Sequence, residues 1–372
     1  MVARTGEGNC DAVRRLEGLP RLRLGHLPTP LAAMPRLRAA LGEERELWIK
    51  HDDYAGPGFG GNKIRKLEFE LAAAWGAGAG QGAGAALGAG AEQGAGAAWG
   101  AGAGQGAGAA LGAGATVVLT TGGLRSNHCR ITAALAARLG LGCHLVLNGE
   151  KPREGTEPAS HALDRMYGAE LHYVKRGVDR APAMAELARE LAGRGERPYV
   201  IPLGASTALG ACGFAAAVVE LREQCEALGM RPGAIVHATS SAGTQAGLAA
   251  GLVMAGWEDV ALVGVSADDS AEEIGSAAGR IVAGMEELLG VEAGGLRRPP
   301  RVEDGFVGAG YGIPSEAGER ALALLAREEG VVLDPVYTAK AMAGMLAILP
   351  SLPLGPVVFW HTGGQMALFG WA

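Results

Sequence analysis

The stretch "TVVLTTGGLRSNHCRITAALAARLG", residues 116–140, sets the fold. A β-branched run (116–121) meets two glycines, and Ser126–Asn127–His128 then open a helix ending at a glycine. Strand, Gly-rich turn and helix in that order form the unit of a parallel α/β sheet. The pattern repeats downstream. "CHLVLN" (143–148), "AELHYV", "RPYVIPLG", "AIVHAT" (234–239), "DVALVGVSA" (259–267) and "GPVVFWHTGG" read as strands. "EPASHALDRMYG", "APAMAELARELAG", a segment from about Thr244, and "AEEIGSAAGRIVAGMEELLG" read as helices. Alternation of this kind predicts parallel-rich sheets, with ligands at the carboxyl ends of the strands.

The bulk numbers exclude several classes. The chain has 372 residues, ample for a large core, and 48% are hydrophobic. A net charge of −6 gives no reason to expect nucleic acid or an anionic membrane. No apolar run approaches the roughly 18 residues of a membrane helix, and the N-terminus carries no apolar secretory core. The five cysteines form no CxxC pair. They read as reduced thiols of a cytoplasmic protein, and no metal site is expected.

Five stretches carry chemistry. "GFGGNKIRKLEFELAAA" places Lys63 at a Gly-rich helix start, as an anion ligand, a Schiff-base nucleophile or a solvated surface lysine. Walker A spacing is absent. "TTGGLRSNHCRITAA" offers either plain N-capping or a carboxylate site at a helix N-terminus. "HATSSAGTQAGL" has the strand–small polar loop–helix form of a phosphate cradle. "GAGYGIPSEAG" and "LDPVYTAKAMAGM" each carry a tyrosine in a loop, Tyr311 and Tyr337, suited to packing or to acid–base work. "VVFWHTGG" ends a strand at a structural His361 and at Thr362, within reach of a ligand. A lysine, a phosphate loop and two tyrosines, without a GxGxxG fingerprint, suit pyridoxal phosphate.

The segments "GGNKIRKLE", "SNHCR", "SAGTQAGL", "YGIP", "LDPVYTAKAMAGM" and "HTGG" together resemble the D-cysteine desulfhydrase and 1-aminocyclopropane-1-carboxylate deaminase family of pyridoxal-phosphate enzymes. The resemblance runs from about Leu47 to the end of the chain, excluding the Gly/Ala repeat. It implies an α/β, tryptophan-synthase-β-like architecture (fold type II) with the cofactor between two domains. The larger domain would take residues 1–66 and 206–372, the smaller 67–205. It implies that Lys63 forms the Schiff base and that Asn127 bonds the phenolic oxygen. Lys66 with Ser241, Ala242, Gly243 and Thr244 would hold the phosphate. Thr338 and Thr362 would complete the cofactor site, with Thr362 facing the pyridine nitrogen. Ser126, Asn127, His128 and Arg125 would meet the substrate, and Ser126, Tyr311 and Tyr337 would join Lys63 in catalysis. Relatives are typically dimers, so a homodimer acting on a small amino acid is expected.

Two positions separate the subfamilies. The deaminases look like "VYEGK" and "HLGG", with a glutamate beside the ring nitrogen, whereas this chain has "VYTAK" and "HTGG". Hydroxyls at Thr338 and Thr362 favour β-elimination of a good leaving group, D-cysteine first. L-Cysteate, 1-aminocyclopropane-1-carboxylate, and racemisation or another β-lyase step stand as alternatives. Three departures from the desulfhydrase pattern are Arg125 for glutamine, Ser240 for a phosphate-loop glycine, and Ala339 for the glycine of "VYTGK". An arginine fork recognises carboxylate or sulfonate, which keeps acidic substrates open.

One segment stands apart. Twelve-residue Gly/Ala units run from Ala73 to Gly108, with a partial fourth to Ala115, and 16 of the 62 glycines lie between Gly76 and Gly114. Removing residues 80–115 leaves an ordinary helix–turn–strand join, which points to tandem duplication of a connection. A mobile surface loop is expected, with helical patches and Trp75 and Trp99 as anchors. The competing view is an interaction protein whose active part is the array; catalysis surviving its deletion decides for the enzyme.

Overall fold

The computed structural model of the chain describes residues 6–76, 114–153 and 155–369. In chain order the strands are β1 (Leu31–Ala33), β2 (Leu47–His51), β3 (Val117–Gly123), β4 (Gly142–Asn148), β5 (Glu170–Val174), β6 (Pro198–Val200), β7 (Ala234–Thr239), β8 (Ala261–Ser266), β9 (Val302–Glu303) and β10 (Val357–His361). They form two sheets, ordered β1-β2-β10-β7-β8-β9 and β5-β4-β3-β6. Every pairing is parallel except β1 with β2. The α/β architecture with parallel-rich sheets matches the expectation.

Burial explains the composition of the central strands. All six residues of β7 and all five of β10 are buried, so neither strand alternates polar with apolar positions. The helix Gly243–Met254 is buried all round, between the large sheet and the helix Ala208–Ala227. Small residues make that approach possible: a Cβ on Gly247 would stand 2.2 Å from the Ala211 carbonyl. Helix Ala208–Ala227, which the sequence reading does not name, starts at Thr207, whose hydroxyl accepts from Gly210 N at 2.8 Å.

Helix Lys63–Trp75 packs on both bodies. Its Leu67 and Leu71 share a core with Val118 and Leu145 of the small sheet. Its Phe69 packs with Ala211, Ala246 and Met285 of the large-sheet helices. The described residues flanking the array meet: Ala115 N donates to the Ala74 carbonyl at 2.8 Å. Arg197 Nε donates to the Gly114 carbonyl at 2.7 Å. The loop, helical patches and Trp99 anchor expected of the array lie outside the described residues.

The five cysteines are free, four of them buried. Among the described residues no helix is long and apolar enough to cross a membrane.

Candidate active site

Carboxyl ends of strands from both sheets reach one cavity of about 1090 Å³. Lys63, Arg125, Ser126, Asn127, His128, Ser241, Ala242, Thr244, Tyr311, Tyr337 and Thr362 all line it. Lys66 and Thr338 are fully buried behind its wall, and Gly243 lies at the start of the helix beneath it.

Lys63 owes its place to two glycines. Gly60 and Gly61 have φ of +67° and +116°, and a Cβ on Gly60 would fall 1.8 Å from the Asp53 carbonyl. The chain can therefore fold back on itself, and Asn62 N donates to the Thr362 carbonyl at 3.0 Å. Lys63 Nζ then donates to Asn62 Oδ1 at 3.0 Å. Burial lowers the Lys63 pKa to about 8, so a minority of the amine is already neutral near physiological pH, far more than for an ordinary lysine. Two residues on, Arg65 anchors the helix by donating to Asp52 and Glu220 at 2.8 and 2.9 Å. Trp360 Nε1 also donates to Asp52, at 2.9 Å. Breaking one partner of such a buried pair costs about 3–5 kcal/mol.

Around the loop after β7, the structure makes an anion cradle. Ala242 holds φ of +61°, unusual for a residue with a Cβ, and starts the twelve-residue helix whose N-terminal amides face the loop. Ser206 Oγ donates to Ser241 Oγ at 2.8 Å, and Asn62 Nδ2 donates to Thr244 Oγ1 at 3.1 Å. Lys66 Nζ donates to the Gly204 carbonyl and Ser206 Oγ, both at 3.2 Å. Both partners are neutral, and burial drives the Lys66 pKa well below its ordinary value. A Cβ on Gly243 would come within 2.6 Å of that ammonium. A buried lysine amine lacking a salt bridge, beside hydroxyls and a helix N-terminus, fits a phosphate dianion, which would favour its protonated form. Ser240, one of the three departures from the family pattern, also lines the cavity and donates to Asp268 at 3.1 Å.

The opposite wall begins at the capped helix Asn127–Leu139, where Ser126 Oγ accepts from Cys129 N at 3.2 Å. Asn127 Oδ1 accepts from Arg130 at 2.6 Å, which fixes the amide and leaves its N–H groups as the donors. Thr120 Oγ1 donates to the Ile201 carbonyl at 2.7 Å and stands 2.8 Å from His128 Nε2. His128 must therefore donate from Nε2, which leaves Nδ1 a bare, buried acceptor without a partner. Burial depresses its pKa, so the ring is neutral.

Tyr311 and Tyr337 face each other, hydroxyl bonded to hydroxyl, with rings edge-to-face at 5.9 Å. Burial, together with the Tyr311 hydroxyl, pushes the Tyr337 pKa well above its usual value, so it remains a proton donor. Two residues of the quoted motif to which the sequence assigns no role hold this pair. Asp334 accepts from the amides of Val336, Tyr337 and Thr338, each at 2.9 Å, and so shapes the turn. Its signal is the Asp-Pro pair of "LDPVYT", a turn initiator. Lys340 Nζ donates to the carbonyls of Val307 and Gly310 at 2.7 and 3.0 Å, which fastens the loop leading to Tyr311. Thr338 Oγ1 donates to Asp334 at 2.7 Å, behind the cavity wall. His361 is structural as read: its Nε2 donates to the Val332 carbonyl at 3.0 Å.

An amine of lowered pKa thus stands beside a cradle for a dianion. The family model of pyridoxal-phosphate dependent enzymes matches residues 22–363, and the chain belongs to that family. It is 36% identical over 365 residues to the D-cysteine desulfhydrase of Salmonella newport (strain SL254), covering 96% of this chain and 98% of that one. The crystal structure of an ACC deaminase homologue, 31% identical, matches with a TM-score of 0.78 over 97% of both chains. Maize serine racemase, at 14% identity and a TM-score of 0.59, shares the fold. The fold is therefore type II, and the cofactor is pyridoxal phosphate.

Proposed function

We propose that this enzyme is a carbon–sulfur lyase that converts D-cysteine and water to pyruvate, hydrogen sulfide and ammonia. The observation that carries the choice of a thiol over a cyclopropane ring is the pair Thr338 and Thr362. Neither position supplies a carboxylate to the cavity, and Thr338 spends its hydroxyl on Asp334. Similarity to D-cysteine desulfhydrases across 96% of the chain supports the same reading.

Bound in the cavity, pyridoxal phosphate supplies a covalent handle for the amino acid and an electron sink for bond breaking. Lys63 would hold it, with Lys66, Ser206, Ser241, Thr244 and the helix amides around its phosphate. Asn127 would donate to its ring oxygen. Lys63, about half neutral near pH 8, would take the α-proton. Tyr337, kept protonated, would give a proton to the departing sulfur. Ser126 and the helix start at Asn127 would receive the substrate carboxylate.

A second reading has its own observation. Arg125, Lys175, Arg176 and Arg180 all line the cavity, which favours an amino acid with an anionic β-substituent such as L-cysteate. Pyruvate release measured side by side from D-cysteine, L-cysteate and 1-aminocyclopropane-1-carboxylate tests both. D-Cysteine should lead, with sulfide in equal amount; a preference for the cyclopropane overturns the reading of the two threonines. Lys63→Ala should abolish the cofactor's visible absorbance. The division at 67–205, a homodimer and a cytoplasmic site belong to the same proposal, and light scattering of the holoenzyme tests the dimer.

A further inference from the structure

We propose that the small sheet carries a divalent transition-metal site, of the zinc class, formed by His144, Glu170 and His172. No spacing motif displays it, because the register of β4 against β5 assembles it. His144 pairs with Glu170, and Val146 with His172, so the two histidines lie diagonally across one face. Strand alternation puts Glu170 and His172 on that same face.

The geometry is close to a ligand set. His144 Nδ1 and His172 Nε2 stand 3.0 Å apart. Two nitrogens bound at the usual zinc distance of roughly 2.0–2.1 Å lie about 2.9–3.4 Å from each other, for right-angled to tetrahedral sites. Glu170 Oε2 lies 3.8 Å from His144 Nδ1. All three ligand atoms fall within 4.8 Å of one another. The His144 side chain is 8% exposed and Glu170 70%, so the site has a fixed inner ligand and an open mouth where water can complete the shell. Two imidazoles and a carboxylate suit zinc, nickel or copper, whereas calcium and magnesium prefer all-oxygen shells.

The site is separate from the catalytic cavity. His144 is the third residue of β4 and Asn148, which lines the cavity, is the last, roughly 13 Å further along the strand. A metal there would join β4 to β5 as a cross-strand clip. Calorimetric titration of tag-free, cofactor-loaded protein with Zn²⁺ tests this. One saturable site per chain is expected. His172→Gln should abolish it and Glu170→Gln should weaken it, with the cofactor absorbance of both variants unchanged. Cys10→Ser, which removes the exposed thiol, should leave it intact. The absence of saturable heat, or an isotherm that His172→Gln does not alter, overturns the proposal. Loss of binding in Cys10→Ser overturns it equally.

Discussion

Asn62 donates its side-chain amide to Thr244 Oγ1 at 3.1 Å, so the residue beside Lys63, the proposed cofactor-binding lysine, is tied directly to the proposed phosphate cradle. Its carbonyl oxygen meanwhile accepts from Lys63. One side chain thus spaces the amine from the anion cradle. Asn62→Ala should weaken cofactor affinity by about 1–3 kcal/mol, the usual loss for an abandoned buried hydrogen bond. Equilibrium titration of the apoenzyme with pyridoxal phosphate measures it, and wild-type affinity would show that the tie is incidental.

Lys66 should make the apoenzyme sensitive to pH and to phosphate. Its folded pKa lies below the ordinary 10.5, so the unfolded chain binds more protons between the two values. Apoenzyme stability should therefore rise with pH through that window, and Lys63 adds to the rise between about 8 and 10.5. Inorganic phosphate at neutral pH should raise the melting temperature. Lys66→Met should stabilise the apoenzyme by about 1–4 kcal/mol, as apolar replacement of buried charge can, while cancelling the phosphate response. Thermal unfolding at pH 7 and pH 9, with and without phosphate, checks each sign.

The tyrosine pair should behave as a unit. Tyr337→Phe removes a proton donor and should lower kcat by about 10²–10⁴-fold. Tyr311→Phe leaves Tyr337 without its partner, and the double variant should be little worse than Tyr337→Phe alone. Because the Tyr337 pKa is raised, no alkaline loss of activity below pH 9 should trace to it. An alkaline limb in that range that disappears in Tyr337→Phe would contradict the assignment.

Deleting residues 80–115 should leave kcat/KM and cofactor absorbance unchanged. Loop closure costs only about 0.6 kcal/mol per doubling of length, so the melting temperature should move little. A folded but inactive deletion variant would place the array in the catalytic cycle instead.

Much of the fold was legible because it repeats one unit. The strand at 234–239 and the helix at 181–193 occupy the residues that periodicity assigns them. Helix Ala208–Ala227 was not, because it is buried on most sides and shows no polar stripe to mark its period. Within the site, motif residues were visible because they sit at strand ends beside glycines. Their supports were hidden by distance: Ser206 meets Lys66 from 140 residues away, and Glu220 meets Arg65 from 155. Lys340 was read as part of a motif, but its work on two carbonyls appears only when the chain is folded.

The hydrogen bond from Ala115 to Ala74 also has a meaning for how this gene can change. It makes a doorway: whatever lies between those residues enters and leaves the enzyme through a gap already closed by the host fold. Gains and losses of whole units there alter the length of the protein without shifting the register of β3 or the helix before it. The doorway is accordingly a graft point, where a fluorescent or affinity domain with neighbouring termini can be carried by a working enzyme.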